Sequence, residues 1–412
     1  MIETARFLNR ELAEKIRQDF GTPVYVYSEK LLREAAREVL GLPAPFGLTV
    51  RYAMKANSNR TVLKLFDGMG LHIDASSGYE AERAMKAGIA ADKIMLTAQE
   101  LPGNLKELVE AGVFYNACSL HQIEAYGKLF PGTEFSVRIN PGMGSGGHAK
   151  TSVAGEEAGF AIWHEFIPQA QELLQKYGLK VRTVHTHVGS GTDPDEWQKV
   201  AEPCAALLDY FPEATRLSLG GGFKVGRMVG EKTADFQAIG ARVQQILLDF
   251  AERTGRQIHL EVEPGTFLVA QAGTLLARVQ DLTQTSSRRF LKIDAGMTEI
   301  LRPALYRAQH PIVVLNDSAQ TEEYVVVGHC CESGDLLTPD PEVLDKEKPR
   351  LMAKAELGDL VAIEGAGAYC SSMAAINYNS FPQAAGVLVK EDGSLQLMRR
   401  RQTLDQMIAN EA

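Results

Sequence analysis

The chain has 412 residues, of which 45% are hydrophobic, 23% are charged and 7% are aromatic. This composition excludes a disordered or fibrous chain, and the length favours two or three domains. The net charge is −9, from 43 Lys and Arg against 52 Asp and Glu, with no block of basic residues. A general binder of nucleic acids or of anionic membranes is therefore disfavoured.

The first twenty residues carry charges throughout, and no apolar run reaches the roughly 18 residues of a membrane span. The five cysteines are scattered, and none lies in a Cys-x-x-Cys pair. This pattern disfavours a disulfide framework and a zinc knuckle. We therefore expect a cytoplasmic protein with reduced thiols and no bound metal.

Short apolar runs alternate with stretches of helical spacing between residues 46 and 265. Eight runs are predicted as strands: 49–56, 71–76, 93–98, 114–119, 135–141, 181–190, 216–222 and 258–265. The helical stretches are 80–89, 105–112, 121–130, 166–178 and 236–255. This alternation favours parallel strands with right-handed crossovers. Eight such units predict an α/β fold with a (β/α)8 barrel rather than a doubly wound sheet.

The sequence after residue 265 reads as short strands joined by turns. These strands are predicted at 273–285, 289–296, 310–316, 322–331, 359–367, 385–390 and 394–401. The segment 340–359 is predicted to be an exposed loop. We expect a barrel over residues 29–266, and a β-rich domain, a β-barrel or sandwich, built from 1–28 and 267–412.

Residues that are unusual for a buried strand stand at the carboxyl ends of the predicted barrel strands. They are Lys55, Asp74, Arg138, His187, Gly220, Gly221, Gly222 and Glu263. Catalytic groups gather at this face of a barrel. Burial of Lys55 would lower its pKa and favour a Schiff base with an aldehyde cofactor, although a lysine that only reaches solvent from a strand end is the alternative.

Two glycine-containing strand ends are candidate phosphate cradles. Residues 187–190 and 220–222 each follow a strand and are predicted to precede a helix, where backbone N–H groups attract anions. Each is equally compatible with a plain tight turn. Glu263 could keep a pyridine nitrogen protonated, and His187 could stack on such a ring. His185 and His187 could instead form a metal pair, but no third ligand of suitable spacing follows.

Three clusters in the β-rich part also carry chemistry, at 294–306, 330–335 and 367–382. Arg302 can grip a carboxylate through two parallel hydrogen bonds. Cys331 and Glu332 offer a proton donor beside an acid, and Tyr378 offers a phenol to a phosphate. A purely structural role is the alternative for each of them.

Together these pieces resemble the fold-type III family of pyridoxal-phosphate-dependent decarboxylases. The matching pieces, in the family's order over residues 52–380, are YAMKAN, HTHVGSG, GGG, EPG, DAGM, RPALY, CESGD and GAY followed by NYNS. The family combines an eight-stranded barrel that carries the cofactor with a β domain. The resemblance therefore implies the architecture that the strand pattern predicts.

The resemblance implies a role for each matching residue. Lys55 would bind pyridoxal 5'-phosphate covalently, His187 would stack on its ring, and Glu263 would meet its nitrogen. The remaining cofactor residues would be Asp74, Arg138, Ser190, Gly220, Gly221, Gly222, Gly265 and Tyr378. The substrate residues would be Thr266, Arg302, Tyr306, Glu332 and Tyr378. Cys331 would reach the reacting carbon from the neighbouring subunit of a homodimer.

The implied reaction is decarboxylation of meso-2,6-diaminopimelate at its D-centre, which yields L-lysine and CO2. A decarboxylase of another basic amino acid, such as ornithine, lysine or a carboxy-polyamine, is the alternative. Arg302 argues against it, because this arginine implies a second, retained carboxylate. A non-catalytic carrier of the cofactor would not need the cluster at 330–335. A racemase would release no CO2.

Two positions depart from the family's pattern, and so does one segment. Family members usually carry arginine directly after Glu-Pro-Gly, where this chain has Thr266, and arginine after NYNS, where it has Phe381. Residues 151–163 also differ from the usual specificity loop. A threonine hydroxyl donates one hydrogen bond, not the paired, charged grip of arginine.

Overall fold

The computed structural model describes residues 2–143, 154–187, 189 and 194–412, without the side chains of 194–198 and 200. Within these residues the chain divides into two compact units. The barrel unit comprises Arg33–Val225 and Lys232–Leu268, and the β unit comprises Met1–Leu32, Gly226–Glu231 and Val269–Ala412. In the described part of the chain, no helix combines the length and apolar character needed to cross a bilayer.

The chain begins with the elements α1 (Arg10–Phe20), β1 (Val24–Ser28) and α2 (Glu29–Leu40). The strands that follow in the barrel unit are β2 (Leu48–Ala53), β3 (His72–Ala75), β4 (Ile94–Leu96), β5 (Phe114–Ala117), β6 (Glu134–Asn140), β7 (Ile162–Trp163), β8 (Lys180–His185), β9 (Arg216–Ser218) and β10 (His259–Val262). Its further helices are α3 (Arg60–Gly68), α4 (Gly78–Ala87), α5 (Leu105–Glu110), α6 (Leu120–Leu129), α7 (Ile167–Tyr177), α8 (Pro194–Ala206), α9 (Phe236–Thr254) and α10 (Thr266–Val269).

Eight of these strands form a closed parallel barrel. The ring runs β2, β3, β4, β5, β6, β8, β9 and β10, and β10 pairs in parallel with β2 to close it. All eight predicted strands and the (β/α)8 barrel are therefore confirmed. The two-residue strand β7, which pairs with β6, was not predicted because it is too short to show a period.

Local capping explains where the barrel helices begin and end. The Ser77 and Ser119 side chains accept backbone N–H groups at the starts of α4 and α6, and Asp235 does so for α9. Gly88 and Gly255 end α4 and α9 in the left-handed conformation, which glycine adopts without strain. The helix starts bound the strand-to-helix loops, which carry the candidate site.

The β unit is built on a mixed sheet, so the predicted β-rich domain is confirmed. Its further strands are β11 (Gly273–Gln284), β12 (Arg289–Ile293), β13 (Ile312–Val314), β14 (Thr321–Val327), β15 (Arg350–Ala353), β16 (Leu360–Ile363), β17 (Ala385–Val389) and β18 (Leu395–Arg399), with helices α11 (Arg302–Tyr306) and α12 (Leu404–Ile408). The sheet order is β15-β14-β12-β11-β1-β17-β18, and β16 pairs with β11 and β13. Its core packs Ala13 and Ile16 of α1 against Val24, Leu276 and Val387.

The prediction of an exposed loop over 340–359 was wrong for the four residues of β15. β15 pairs antiparallel with β14 at the edge of the sheet. Only Met352 of its four residues is buried. A short edge strand with a single buried residue shows no apolar alternation, which is why the sequence conceals it.

Candidate active site

One end of the barrel brings the predicted polar residues together. Asp74 lies in β3 and Arg138 in β6, Lys55 and Glu263 follow β2 and β10, and His187 follows β8. Because the strands are parallel, their carboxyl ends share one rim. The charges of Lys55 and Arg138 act on both Glu263 and His187. The barrel unit therefore assembles its amine, carboxylates and imidazole in one electrostatically coupled group.

Lys55 occupies a single 3-10 turn, Met54–Ala56, directly after β2. Its neighbours Met54 and Ala56 are fully buried, whereas Lys55 is exposed. The expectation that burial would desolvate this amine is therefore wrong for the protein alone. The turn buries the two flanking side chains and leaves Lys55 exposed, so a ligand can reach this residue.

Glu263 is a buried carboxylate held by two neighbouring strands. His185 Nε2 lies 2.9 Å from its Oε2, and Ser218 Oγ donates to its Oε1 at 3.2 Å. Burial opposes ionisation, but the charge and hydrogen bond of His185, with the charges of Lys55 and Arg138, lower the pKa of Glu263 below its ordinary value. Glu263 is thus an ionised carboxylate whose orientation is fixed by His185 and Ser218. His185 faces this carboxylate, so the interpretation of His185 as one member of a metal pair finds no support.

Asp74 is the second carboxylate of this group, and it is 2% exposed. Burial, followed by the charge of Glu263, raises the pKa of Asp74 to about 7. Its Oδ1 has no hydrogen-bond partner among the described residues. A carboxyl group with a raised pKa and an unused oxygen is suited to a polar ligand in the barrel mouth.

Backbone geometry fixes the ring of His187. The Gly221 N–H donates to His187 Nδ1 at 3.0 Å. Desolvation, followed by the charges of Arg138 and Lys55, holds the pKa of His187 well below its ordinary value. The imidazole is therefore neutral, with Nδ1 as the acceptor. A neutral, oriented ring is suited to stacking on a flat cofactor.

The glycine run explains why no side chain can stand beside this imidazole. A Cβ at Gly220 would lie 2.6 Å from His187 Nδ1, and a Cβ at Gly221 would lie 2.5 Å from the Glu263 carbonyl oxygen. The prediction that this run precedes a helix was wrong, because the next helix, α9, begins at Phe236. The Gly220 N–H donates to Ser218 Oγ at 3.3 Å and the Gly221 N–H donates to His187, so these two donors are already used and no helix dipole supports the run. Ser190, the other predicted phosphate residue, lies outside the described residues.

Gly265 and Thr266 lie next to the turn that carries Lys55. A Cβ at Gly265 would lie 3.3 Å from the Cβ atoms of both Ala53 and Ala56, so the glycine allows close packing there. Thr266 begins α10 and is half-buried, next to Phe267, which is 8% exposed. The position where the family usually has arginine is therefore flanked by a closely packed glycine and a buried phenylalanine.

Thr266→Arg is expected to lower activity rather than restore a family contact. The longer side chain overpacks a half-buried position, which typically costs about 1–3 kcal/mol of stability. The measurements are the melting temperature and kcat/KM of the variant. Thr215→Arg, on an exposed residue before β9, is the matched control. A clear gain in catalytic efficiency with unchanged substrate selectivity would contradict this expectation.

In the β unit, Arg302 is oriented by a buried histidine. Arg302 Nε donates to His310 Nε2 at 3.2 Å, and His310 Nδ1 donates to the Glu364 carbonyl at 2.9 Å. Burial, followed by the charges of Arg227 and Arg302, keeps the pKa of His310 well below its ordinary value. No carboxylate among the described residues pairs with Arg302. The orientation of its guanidinium is therefore fixed through Nε, and the guanidinium can still donate hydrogen bonds to a ligand. Tyr306, which is half-buried, is the last residue of the same short helix.

The loop that carries Cys331 and Glu332 is tied down at two points. The Asp335 carboxylate accepts the backbone N–H groups of Met297, at 2.6 Å, and Cys330, at 2.8 Å. The Asn379 side chain accepts the N–H of Cys331 at 2.9 Å. Cys331 and Glu332 themselves are exposed. These hydrogen bonds therefore anchor the backbone of the loop, whereas the side chains of Cys331 and Glu332 are exposed to solvent.

Phe381, at a position where the family usually has arginine, packs against this same loop. Its ring stacks on His329 with 3.6 Å between centroids and 7° between planes. Tyr378, three residues earlier, is 39% exposed in a turn where Asn379 and Ser380 have positive φ. A stacked aromatic pair therefore joins the turn with Tyr378 to the segment that precedes Cys331.

Sequence reasoning missed the residues that orient the candidate groups. They are Ser218 and His185 beside Glu263, His310 beside Arg302, and Asn379 beside Cys331. One signal was available for His185, because residues i and i+2 of a strand point to the same side as each other. Only the tertiary structure supplies the other three pairings.

The barrel-mouth residues fit a phosphorylated pyridine aldehyde. They offer an exposed amine, a neutral oriented imidazole and an ionised carboxylate, with the unused Asp74 Oδ1 beside them. The glycines at 220 and 221 keep side chains away from this mouth. These are the groups that bind such a cofactor through its aldehyde, its ring face and its nitrogen.

Comparison with known proteins agrees with this geometry. Residues 31–270 match the family described as pyridoxal-dependent decarboxylase, pyridoxal binding domain. The chain is 33% identical to the diaminopimelate decarboxylase of Escherichia coli K12, covering 100% of this chain and 99% of that protein. A crystal structure of a diaminopimelate decarboxylase aligns with a TM-score of 0.89 at 32% identity, covering 96% and 95% of the two chains. The Helicobacter pylori diaminopimelate decarboxylase complexed with L-lysine aligns with a TM-score of 0.85 at 28% identity, covering 97% and 98%.

The family match covers more than half of the chain, and the E. coli relative matches it from end to end. The chain therefore belongs to the pyridoxal-dependent decarboxylases and, within them, to the diaminopimelate decarboxylase family.

Proposed function

We propose that this protein decarboxylates meso-2,6-diaminopimelate to L-lysine and CO2 with pyridoxal 5'-phosphate as cofactor. The observation that carries the substrate assignment is Arg302, a guanidinium that neutral His310 orients and that no described carboxylate neutralises. Such a group suits a substrate that keeps one carboxylate while losing the other. The relatives named diaminopimelate decarboxylase, which match nearly the whole chain, support the same assignment.

In this proposal the barrel mouth holds the cofactor. Lys55 binds it covalently, Glu263 meets the ring nitrogen, and His187 covers one ring face. Ser190, the run Gly220–Gly222, Gly265 and Tyr378 are assigned to the phosphate side. Asp74 and Arg138 lie near the ring, where the pKa of Asp74, about 7, allows it to exchange a proton. When bound, pyridoxal phosphate accepts the electron pair that the departing carboxylate leaves behind.

The chain's own residues orient the bond that breaks. The bond between the D-configured carbon and its carboxylate breaks, CO2 leaves, and one proton replaces it at that carbon. We assign this proton to Cys331, whose exposed side chain stands on a loop that Asp335 and Asn379 fix. Arg302, Tyr306 and Glu332 are assigned to the other end of the substrate. Holding both ends of the substrate fixes the orientation of the bond that breaks, and this fixed orientation lowers the barrier to the reaction.

We also propose that the protein works as a cytoplasmic homodimer with shared active sites. Cys331 and Glu332 are exposed in the β unit, and the family resemblance assigns them to the site of the neighbouring subunit. A two-fold dimer repeats such a contact symmetrically and yields two composite sites. The five free thiols agree with a reducing compartment.

A substrate panel tests this proposal. The cofactor-loaded protein is incubated with meso-diaminopimelate, ornithine and lysine, and CO2 is measured for each. We expect kcat/KM for meso-diaminopimelate to exceed both others by at least about a hundredfold, because only this substrate gives Arg302 a retained carboxylate after decarboxylation at the other end. Preferred turnover of ornithine or lysine would overturn the substrate assignment and leave the cofactor assignment standing.

A further inference from the structure

Arg227 is a buried arginine that the proposed reaction does not yet use. It belongs to Gly226–Glu231, the short segment of the β unit that interrupts the barrel sequence. Its side chain is nearly inaccessible, and the residue as a whole is 8% exposed. Its Nε donates to the Gly365 carbonyl at 3.0 Å, but its Nη2 has no hydrogen-bond partner among the described residues.

Two other guanidiniums act on Arg227. Burial, followed by the charge of Arg302, lowers the pKa of Arg227 to about 9. Arg6 adds a third guanidinium but lies 4.0 Å from the Glu364 carboxylate, which partly neutralises it. The Glu231 carboxylate accepts the backbone N–H groups of Arg227 and Met228, at 2.7 and 3.2 Å, instead of pairing with a guanidinium. Within the described residues, neither Arg227 nor Arg302 has a carboxylate partner.

Such an arrangement is costly unless an anion completes it. A buried cation whose donors are only partly hydrogen-bonded loses hydration that is not fully restored, and two guanidiniums that act on each other repel. The chain nevertheless builds a place for Arg227. A Cβ at position 365 would lie 3.0 Å from Arg227 Cγ, and the glycine there has a φ of +64°. The backbone at Gly365 therefore admits the arginine side chain and also supplies the one acceptor that this side chain has in the described part of the chain.

We propose that Arg227 and Arg302 together bind the carboxylate that the substrate retains, so that Arg227 is a second specificity-determining residue. This inference rests on the proposed function, because it concerns the same substrate. It also offers a reason for the departure at Thr266, where the family usually carries arginine. The second guanidinium is present in this chain, but it comes from a different segment. The ligand class is an amino acid whose α-carboxylate survives the reaction, as in diaminopimelate and L-lysine.

The alternative role for Arg227 is purely structural, namely to anchor residues 226–231 on the Gly365 carbonyl. Two ligands separate the alternatives. L-lysine has the α-carboxylate that the two arginines are proposed to bind. Cadaverine is lysine without this carboxyl group, and it keeps both amines. The experiment measures the Kd of each ligand by calorimetry on the cofactor-loaded protein, for the wild type, Arg227→Met and Arg227→Lys. Arg6→Met is the matched control, because it removes a neighbouring guanidinium that has its own carboxylate.

Arg227→Met is expected to raise the Kd of L-lysine by about ten- to a hundredfold, the usual effect of losing a charged hydrogen-bonded pair. The Kd of cadaverine should change by less than about threefold, and Arg227→Lys should give an intermediate loss for L-lysine. The KM for meso-diaminopimelate should rise in parallel while kcat changes little. Arg6→Met should leave all of these values near those of the wild type.

An equal loss for L-lysine and cadaverine in Arg227→Met, or no loss for either, would overturn the inference. If Arg227→Met does not fold, as judged by circular dichroism, the same comparison in Arg227→Lys decides the question. Failure of the proposed function is seen separately, as a wild type that binds L-lysine but releases no CO2 from meso-diaminopimelate. The binding comparison can still be read in that case, because it needs no turnover.

Discussion

Replacing Lys55 by alanine is expected to abolish both covalent attachment of the cofactor and turnover. In the wild type, the purified protein should absorb visible light once loaded, and borohydride should fix the cofactor to Lys55. The variant has no amine at this position, so mass spectrometry should find no adduct there. Its kcat should fall by at least about a thousandfold, because the covalent route is lost.

Lys64→Ala is the matched control for this experiment. Lys64 is an exposed lysine on the next helix, α3, so its loss should change neither the adduct nor the rate. Borohydride trapping at another lysine, or a colourless protein with full activity, would show that Lys55 does not hold the cofactor.

Mixing two inactive variants is expected to restore activity to roughly a quarter of the wild-type value. Lys55→Ala damages the barrel part of a site, and in the proposed dimer Cys331→Ala damages the part that the β unit gives to its neighbour. Random co-assembly of equal amounts gives about half heterodimers, and each of these has one wholly wild-type site out of two. The measurement is the specific activity after co-expression or co-refolding, compared with each variant alone.

Homodimers of each variant, refolded in the same way, are the control for this gain. If Lys55 and Cys331 served the same subunit's site, every site in the mixture would carry one of the two substitutions. The mixture would then show only the average of the two variants. That result would rule out shared sites and leave the cofactor assignment untouched.

The barrel was predictable because its eight strands carry a signal that is local. Each strand is a continuous apolar run followed by a polar or glycine residue, and a helical pattern separates most of them. β7 and β15 lack such a signal, since one has two residues and the other buries only Met352. Short edge strands form because a neighbouring strand offers hydrogen bonds. The sequence of the short strand itself gives no sign of that neighbour.

The candidate site was predictable in its residue types but not in its pairings. Glu263 and Lys55 stood out as polar residues that end apolar strands. The partner of Glu263, His185, is 78 residues away, and only closure of the barrel places them 2.9 Å apart. Exposure was equally hidden, because Lys55 follows a buried strand and is nevertheless exposed in its own 3-10 turn. Sequence position indicates the strand end but not the exposure of the residue that follows it.

The buried charges of the β unit were the least predictable part. Arg227 lies in a loop sequence, GFKVGRMVGEK, that carries no apolar period and no motif of the family resemblance. Its burial depends on a contact with Gly365, which is 138 residues away. Long-range contacts of this kind set the charge balance around Arg302, and no local pattern reports them.

The most direct test of the central claim is the stoichiometry and configuration of the product from meso-diaminopimelate. The cofactor-loaded wild type is incubated with this substrate, CO2 is quantified, and lysine is separated by chiral chromatography. We expect one CO2 for each lysine formed, with lysine entirely of the L-configuration, because the D-centre is the one that loses its carboxylate. D-lysine, or a change in the configuration of diaminopimelate without release of CO2, would contradict the account.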